Sequence, residues 1–255
     1  MPPEPEPDRR TAQIGVVHAT GIELGPFFNR CDRLRKYMAA DRMVFRGGFW
    51  RNNRVAFVQV GMGPVRATRG CQALLDGHGP QWVISAGFSG ALTSNLKPGD
   101  IVVAGSTSDA TGHELKIDLK FPDDPAKGLY VGKLITLDHV AKTGAEKERL
   151  GRETGALAVD MESHAVAAVC KERKVRFMAV RVISDSMDHD LPDEALTILS
   201  DNGVVQIGAA LSALWKRPGS ASDLWRLRTE ANQSAERLAG FLEGVVSQLC
   251  EAEVR

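Results

Sequence analysis

Residues 158–188 read AVDMESHAVAAVCKERKVRFMAVRVISDSMD, a helical tract between two apolar runs, each of which gives way to an acid. Glu162 follows the run Leu157-Ala158-Val159, and Asp185 follows Phe177-Met178-Ala179-Val180-Arg181-Val182-Ile183. Side chains at strand ends line clefts. If the two strands are parallel, both acids project from neighbouring carboxyl ends, where open α/β sheets place their ligands. The stretch therefore predicts an α/β fold with an active site at these two carboxylates.

Outward from it the same alternation continues. Residues 13–18 (QIGVVH) form a buried-strand pattern, followed by a loop and a helix that includes residues 25–37. Residues 43–50 and 54–60 are extended runs joined by Arg51-Asn52-Asn53, a hairpin signature. The loop Gly61-Met62-Gly63-Pro64 leads into a helix over 65–77, with Ala67, Cys71, Leu74 and Leu75 at helical spacing. A strand, a glycine loop and a helix N-terminus in that order leave unpaired N–H groups pointing at a ligand, although close packing of the loop is the commoner reason for such glycines. Residues 81–85 (QWVIS) read as another buried strand that ends in the small-residue loop 86–92, where Gly87 lets the backbone approach a ligand. Strands are expected at 101–104 and 131–136, with a polar, Asp-rich excursion or lid over 105–130 between them. Helices are expected over 191–199, 203–215 and 221–249. Alternating strands and helices imply a largely parallel sheet.

The chain has 255 residues, 43% of them hydrophobic, enough for one large α/β domain. Its organisation reads as a disordered Pro-rich tail over residues 1–12, a main domain over 13–215 and a helical extension over 216–255. Thirty-two basic residues balance thirty-two acidic ones, so there is no charge excess pointing to nucleic acid or an anionic membrane, and a small molecule is the expected partner. Four scattered cysteines without a CxxC pair argue against a disulfide framework or a zinc site and for a reducing compartment; Cys71 and Cys170 read as buried helix thiols. No apolar run approaches the roughly 20 residues of a membrane span, and no signal-peptide pattern is present. A cytoplasmic protein is expected.

The motif AVDMES, followed some way on by RVISDSMD, resembles the nucleoside phosphorylase and nucleosidase superfamily. Within it the pattern is most similar to the methylthioadenosine/S-adenosylhomocysteine nucleosidases and the hopanoid-associated nucleoside phosphorylases. Four motifs occur in the family's order: the first strand with Glu23, the GxG loop, SAGFSGAL with GDIVVA after it, and the VDMES/ISD pair. The resemblance implies a three-layer α/β/α sandwich with a mixed, partly barrel-like central sheet. It also implies cleavage of the N-glycosidic bond of a purine nucleoside, with no metal or organic cofactor, in a homo-oligomer. The apolar residues Trp215, Leu224, Trp225 and Leu227 are candidates for contacts between subunits.

Breaking a ribosyl–purine bond puts positive charge on the sugar and negative charge on the departing base, so the base needs a proton. Asp185 matches the family's proton donor, and a carboxyl at a buried strand end can be kept protonated by desolvation. Taken alone, it would more often cap a following helix, and the VDMES motif beside it is what tips the reading to catalysis. Glu162 matches the acceptor of the ribose hydroxyls, with Met161 packing against sugar or base. Glu23 corresponds to the carboxylate that activates water. The segment Leu137-Asp138-His139-Val140 falls in the base-binding region without an aromatic residue, so either His139 stacks on the base or Val140 forms an aliphatic wall. Phe88, beside Gly87, stands where the family usually has a small residue, and either narrows the sugar pocket or stacks on the ligand.

The phosphate-binding arginines of the superfamily's phosphorylases have no counterpart in HATGIELGP or QWVISAGFSG. Phosphate would depend on the GxG amides, Arg66 or an arginine brought by a partner subunit, for which Arg46 of the hairpin is the candidate, and Glu23 would repel it. Hydrolysis is favoured. Phosphorolysis of a purine nucleoside or of an adenosylhopane-type substrate is the alternative, and a non-catalytic nucleoside-binding protein is the alternative from another class.

Overall fold

Strands β5 (Trp82–Ala91) and β10 (Arg176–Asp185) run side by side in parallel and anchor the sheet. Both are apolar along most of their length, as strands covered on both faces must be. The computed structural model describes residues 11–38, 43–191 and 220–251, with side chains in the last segment from residue 229. Its other strands are β1 (Ile14–His18), β2 (Asp32–Met38), β3 (Val44–Trp50), β4 (Asn53–Gln59), β6 (Ile101–Asp109), β7 (Glu114–Lys116), β8 (Leu129–Thr136) and β9 (Ala158–Asp160). The helices are α1 (Gly21–Phe28), α2 (Pro64–His78), α3 (Gly144–Thr154), α4 (Ser163–Arg173) and α5 (Ser220–Glu251).

Five strands close on themselves. β5 pairs with β10, β10 with β6, β6 with β8, β8 with β9, and β9 returns antiparallel to the far end of β5. From β5 an open wing continues through β1, β4, β3 and β2. The sheet is thus mixed and partly barrel-like, within an α/β/α arrangement. Alternation along the wing strands sorts side chains onto two faces. Ile14, Val16, Val55 and Phe57 pack with Leu24 and Phe27 of α1 and with Leu238, Leu242 and Val246 of α5. Val17, Ala56 and Val58 pack instead with Ala67, Cys71 and Leu74 of α2 and with Val166 and Val169 of α4. Cys71 and Cys170 meet there as free buried thiols, 3.9 Å apart.

Three local readings change. The helix expected over 25–37 ends at Phe28, and residues 32–38 form β2 instead. β2 is an edge strand, mostly exposed, and its charged outer residues hide the two-residue period. The small-residue tract 86–92 is not a loop: β5 continues through it to Ala91. The excursion 105–130 contains the end of β6 and the hairpin strand β7. The helices expected over 191–199 and 203–215 lie outside the described residues, apart from Leu191, as do the side chains of Trp215, Leu224, Trp225 and Leu227. The C-terminal helical tract is one helix, α5, whose apolar face is built into the main core. No helix among the described residues is long and apolar enough to cross a membrane.

Candidate active site

The two acids of the motif meet because β5 closes the barrel. Gly90 is in register with Val159 on one side and with Asp185 on the other. β9 and β10 are therefore not parallel neighbours; they flank β5, the first antiparallel to it and the second parallel. Their carboxyl ends converge on one open cleft, whose space including the open mouth is about 630 Å³. Glu23, Phe88, His139, Val140, Met161, Glu162 and Asp185 all line it. Gly87 lies just behind: a Cβ there would stand 2.5 Å from Arg181 Nη1 and 2.6 Å from Glu23 Oε1.

Glu23 enters from the first turn of α1 and is buried. Its Oε2 accepts the Thr20 amide at 2.7 Å, as in a capping box, and its Oε1 accepts the Phe88 amide at 3.1 Å. Burial raises its pKa above the ordinary carboxylate range, against the opposing pull of the Thr20 amide and Arg181. Glu162 is the N-cap residue of α4 and is 4% exposed. Its Oε1 accepts the Gly63 amide at 3.0 Å, which turns the GxG loop toward the cleft. Burial pushes its pKa up to about 7; Arg181 opposes the rise, and the neighbouring Asp160 and Glu23 add to it.

Arg181, unassigned in the sequence reading, organises this cluster. It is 1% exposed in the middle of β10, with Nε 2.8 Å from Asp160 Oδ2 and Nη1 3.6 Å from Glu162 Oε2. Its Nη2 donates to Ser85 Oγ at 2.8 Å, and its Nε lies 3.1 Å from Ser163 Oγ. Burial works against its charge, but Asp160, Glu162 and Glu23 more than offset that and raise its pKa. Asp160 is a structural acceptor: its Oδ1 takes the Thr136 hydroxyl at 2.6 Å and the Glu162 and Ser163 amides at 3.2 Å. A signal for Arg181 existed, since a charged residue in the middle of an apolar strand requires a buried partner.

Asp185 differs from the desolvated carboxyl expected. Its side chain is 15% exposed; Oδ1 accepts the Ser184 hydroxyl at 2.7 Å, and Oδ2 is ion-paired at 2.5 Å with Lys147 of α3. His139 is a rim residue rather than an enclosed stacking platform. Its side chain is 58% exposed and its two nitrogens face Asp138 and Glu146, which raise its pKa, Asp138 the more strongly. Val140 stands beside it on the cleft wall. His18 is buried behind the site, its Nδ1 bonded to the Thr20 carbonyl, and burial pushes its pKa down to about 3. Among the described residues, those that could gather round a cation are Asp109, His113 and His164. They lie outside the cleft lining, and the separation of 3.9 Å between Asp109 Oδ2 and His164 Nε2 is that of a loose ion pair.

Known proteins match this chain in sequence and in fold. The family model of the phosphorylase superfamily matches residues 13–132 and 126–214. The 5′-methylthioadenosine/S-adenosylhomocysteine nucleosidase of Haemophilus influenzae (strain PittGG) is 31% identical over 206 residues, 69% of this chain and 87% of the relative. The protein of the same description from Baumannia cicadellinicola is 29% identical over 215 residues, 73% of this chain and 93% of the relative. Among solved structures, the Helicobacter pylori 5′-methylthioadenosine/S-adenosylhomocysteine nucleosidase superposes with a TM-score of 0.68 at 20% identity, covering 94% of this chain and 99% of the other. Futalosine hydrolase of Helicobacter pylori strain 26695 gives 0.65 at 21% identity, covering 93% and 98%. With the closed sheet and the VDMES/ISD carboxylates in one cleft, these matches establish that the chain belongs to the phosphorylase superfamily.

Proposed function

We propose that the protein is a purine nucleosidase that hydrolyses the N-glycosidic bond of an adenine-type nucleoside, releasing the free base and a ribose derivative. The observation that carries the proposal is the unequal use of the buried carboxylates. An ionised carboxylate has about four acceptor positions. Asp160 uses Oδ1 for Thr136 and two backbone amides and holds Oδ2 in an ion pair with Arg181. Glu162 takes one amide and a distant guanidinium, and otherwise faces the cleft. A vicinal diol supplies the two O–H donors it lacks, which fixes the ribose between Glu23 and Asp185. Met161 and Phe88 wall the sugar, and Val140, with His139 at the rim, walls the base.

In this reading Asp185 protonates the departing purine, and Glu23 takes the proton of the attacking water. A carboxyl whose proton affinity is raised by burial is a better base near neutrality than an exposed one. Glu162 and Glu23 also place negative charge where the ribosyl cation develops. Water is favoured over phosphate because no arginine or lysine is among the described residues lining the cleft. Arg46 lies instead over the Phe28 ring, and Arg66 folds over Gly61. The relatives' names point to 5′-thio-substituted adenosines as substrates, in keeping with a role in methionine salvage, and homo-oligomeric assembly belongs to the same proposal.

The test is release of adenine from adenosine, methylthioadenosine and S-adenosylhomocysteine, with and without phosphate, by the wild type, Asp185→Asn and Glu23→Gln. Phosphate-independent release, lost in both variants, is expected. Strict dependence on phosphate would refute the role of Glu23. Tight nucleoside binding without turnover, unchanged by Asp185→Asn, would make the protein a binder.

A further inference from the structure

Helix α3 is polar along its length, and its one buried residue is a lysine. Lys147 is fully buried, a state that Lys adopts only when paired. Its ammonium donates to the carbonyls of Ser186 and His189, each at 3.0 Å, and is ion-paired with Asp185 Oδ2 at 2.5 Å. The start of α3 is seated on the same segment. The Gly144 amide donates to Asp190 Oδ1 at 2.8 Å, the Leu191 amide donates to the Lys142 carbonyl at 2.8 Å, and a Cβ on Gly144 would stand 2.9 Å from the Met187 carbonyl. Leu191 in turn lines the cleft. With Ser184 on Oδ1 and Lys147 on Oδ2, the Asp185 carboxyl is held at both oxygens in a single orientation.

We propose that Lys147 is a positioning residue for the proton donor: it orients Asp185 and supplies the counter-charge for the carboxylate that Asp185 becomes when its proton passes to the leaving base. The inference rests on the reading of Asp185 as that donor. In the step, the O–H bond of Asp185 breaks and its electron pair stays on oxygen. The ring nitrogen of the purine uses its lone pair to form the N–H bond, while the glycosidic pair collapses onto the base. The new carboxylate faces an ammonium already in place, so no reorganisation is needed to stabilise it. Solvent then returns a proton to Asp185, and Glu23 gives up to solvent the proton it took from water. The sum is one water consumed per bond cleaved. A tie that served the fold alone would not require a charge, because a buried ion pair is commonly replaceable by neutral groups without loss of stability.

Lys147→Gln separates the two roles, since its amide still donates to the Ser186 carbonyl but carries no charge. The experiment measures kcat and KM for adenine release by wild type, Lys147→Gln, Lys147→Arg, Asp185→Asn and the double variant Lys147→Gln/Asp185→Asn, with melting temperatures to establish folding. A loss in kcat of about 30-fold or more is expected for Gln, a large part of the roughly 10²–10⁴-fold that general acid catalysis supplies, with KM nearly unchanged and most of the rate regained with Arg. The double variant should be no slower than Asp185→Asn. A Gln variant as fast as wild type, or losses that multiply in the double variant, would overturn the proposal. Should Lys147→Gln not fold, Lys147→Arg carries the test: its altered geometry should cost rate in the wild-type background and none beside Asp185→Asn, and a loss that persists there overturns the proposal. A wild type that releases no base would refute the reading of the cleft itself; an active wild type matched by Lys147→Gln refutes only the role of Lys147.

Discussion

Replacing Glu162 with Gln is expected to stabilise the protein above neutral pH while abolishing its activity. Glu162 is buried, with one amide donor and a guanidinium 3.6 Å away, and its pKa stands at about 7 against an ordinary 4.5. Below pH 4.5 the carboxyl is protonated in both the folded and unfolded chain and contributes nothing. Between 4.5 and 7 the unfolded chain ionises while the folded chain keeps its proton, so stability falls as pH rises. Above 7 the folded chain must carry the buried charge, at a cost of about 3 kcal/mol. Glutamine does not titrate, its carbonyl can still accept the Gly63 amide, and Arg181 keeps Asp160 and Ser85 as partners. The melting temperature of Glu162→Gln minus that of wild type should therefore grow by about 6–12 °C between pH 4.5 and pH 8, at about 2–4 °C per kcal/mol for a chain of this size. Differential scanning calorimetry across that range measures it. A difference that is flat, or that shrinks as pH rises, would show that the pairing of Glu162 with Arg181 outweighs its burial.

Arg181→Met leaves the Asp160 carboxylate buried without its cation; a loss of about 3–5 kcal/mol is expected, read as a fall in melting temperature of roughly 10 °C, and a fall under 2 °C would refute the account of Arg181 as the hub. Gly87→Ala places a methyl group against the tied ends of Arg181 and Glu23; overpacking of about 1–3 kcal/mol should appear in urea denaturation, together with a marked drop in kcat. Leu242→Ala opens a cavity between α5 and the sheet, where Leu242 is fully buried, and should cost about 2–5 kcal/mol in the same assay; a cost below 1 kcal/mol would mean that α5 only rests on the domain.

The sequence carried the strands that are buried on both faces, because apolar runs such as residues 177–183, interrupted there by Arg181 alone, need no knowledge of their neighbours. It concealed β2, whose pairing with β3 is decided by the edge of the wing and not by its own charged residues. It also concealed the true length of β5. A run of Ala, Gly and Ser has low strand propensity, and only the side chains that cross it make small residues necessary: Arg181 and Glu23 press on Gly87, and Asp185 on Gly90. Glu23, Glu162 and Asp185 were legible as a set because their motifs occur together. Lys147 was not, because it comes from a helix whose composition is that of a solvated surface and it reaches Asp185 across 38 residues of sequence.

The charge arithmetic of the cleft bears on the choice of nucleophile more directly than any motif. Among the described residues, Glu23, Asp160, Glu162 and Asp185 bring four carboxyls to the site, and Arg181 and Lys147 bring two cations, each already engaged with an acid. Such a site favours positive charge, and the ribosyl group acquires it as the glycosidic bond lengthens. Phosphate would have to enter as an anion past Glu23 and Glu162 without a cation reserved for it among the described residues, whereas in the proposed reaction water enters neutral and gives its proton to one of the same carboxylates. In the proposed reaction the excess of acids that helps to raise the pKa of Glu162 thus also favours water: the charge that weakens the folded state above neutrality would attract the ribosyl cation and repel the competing anion.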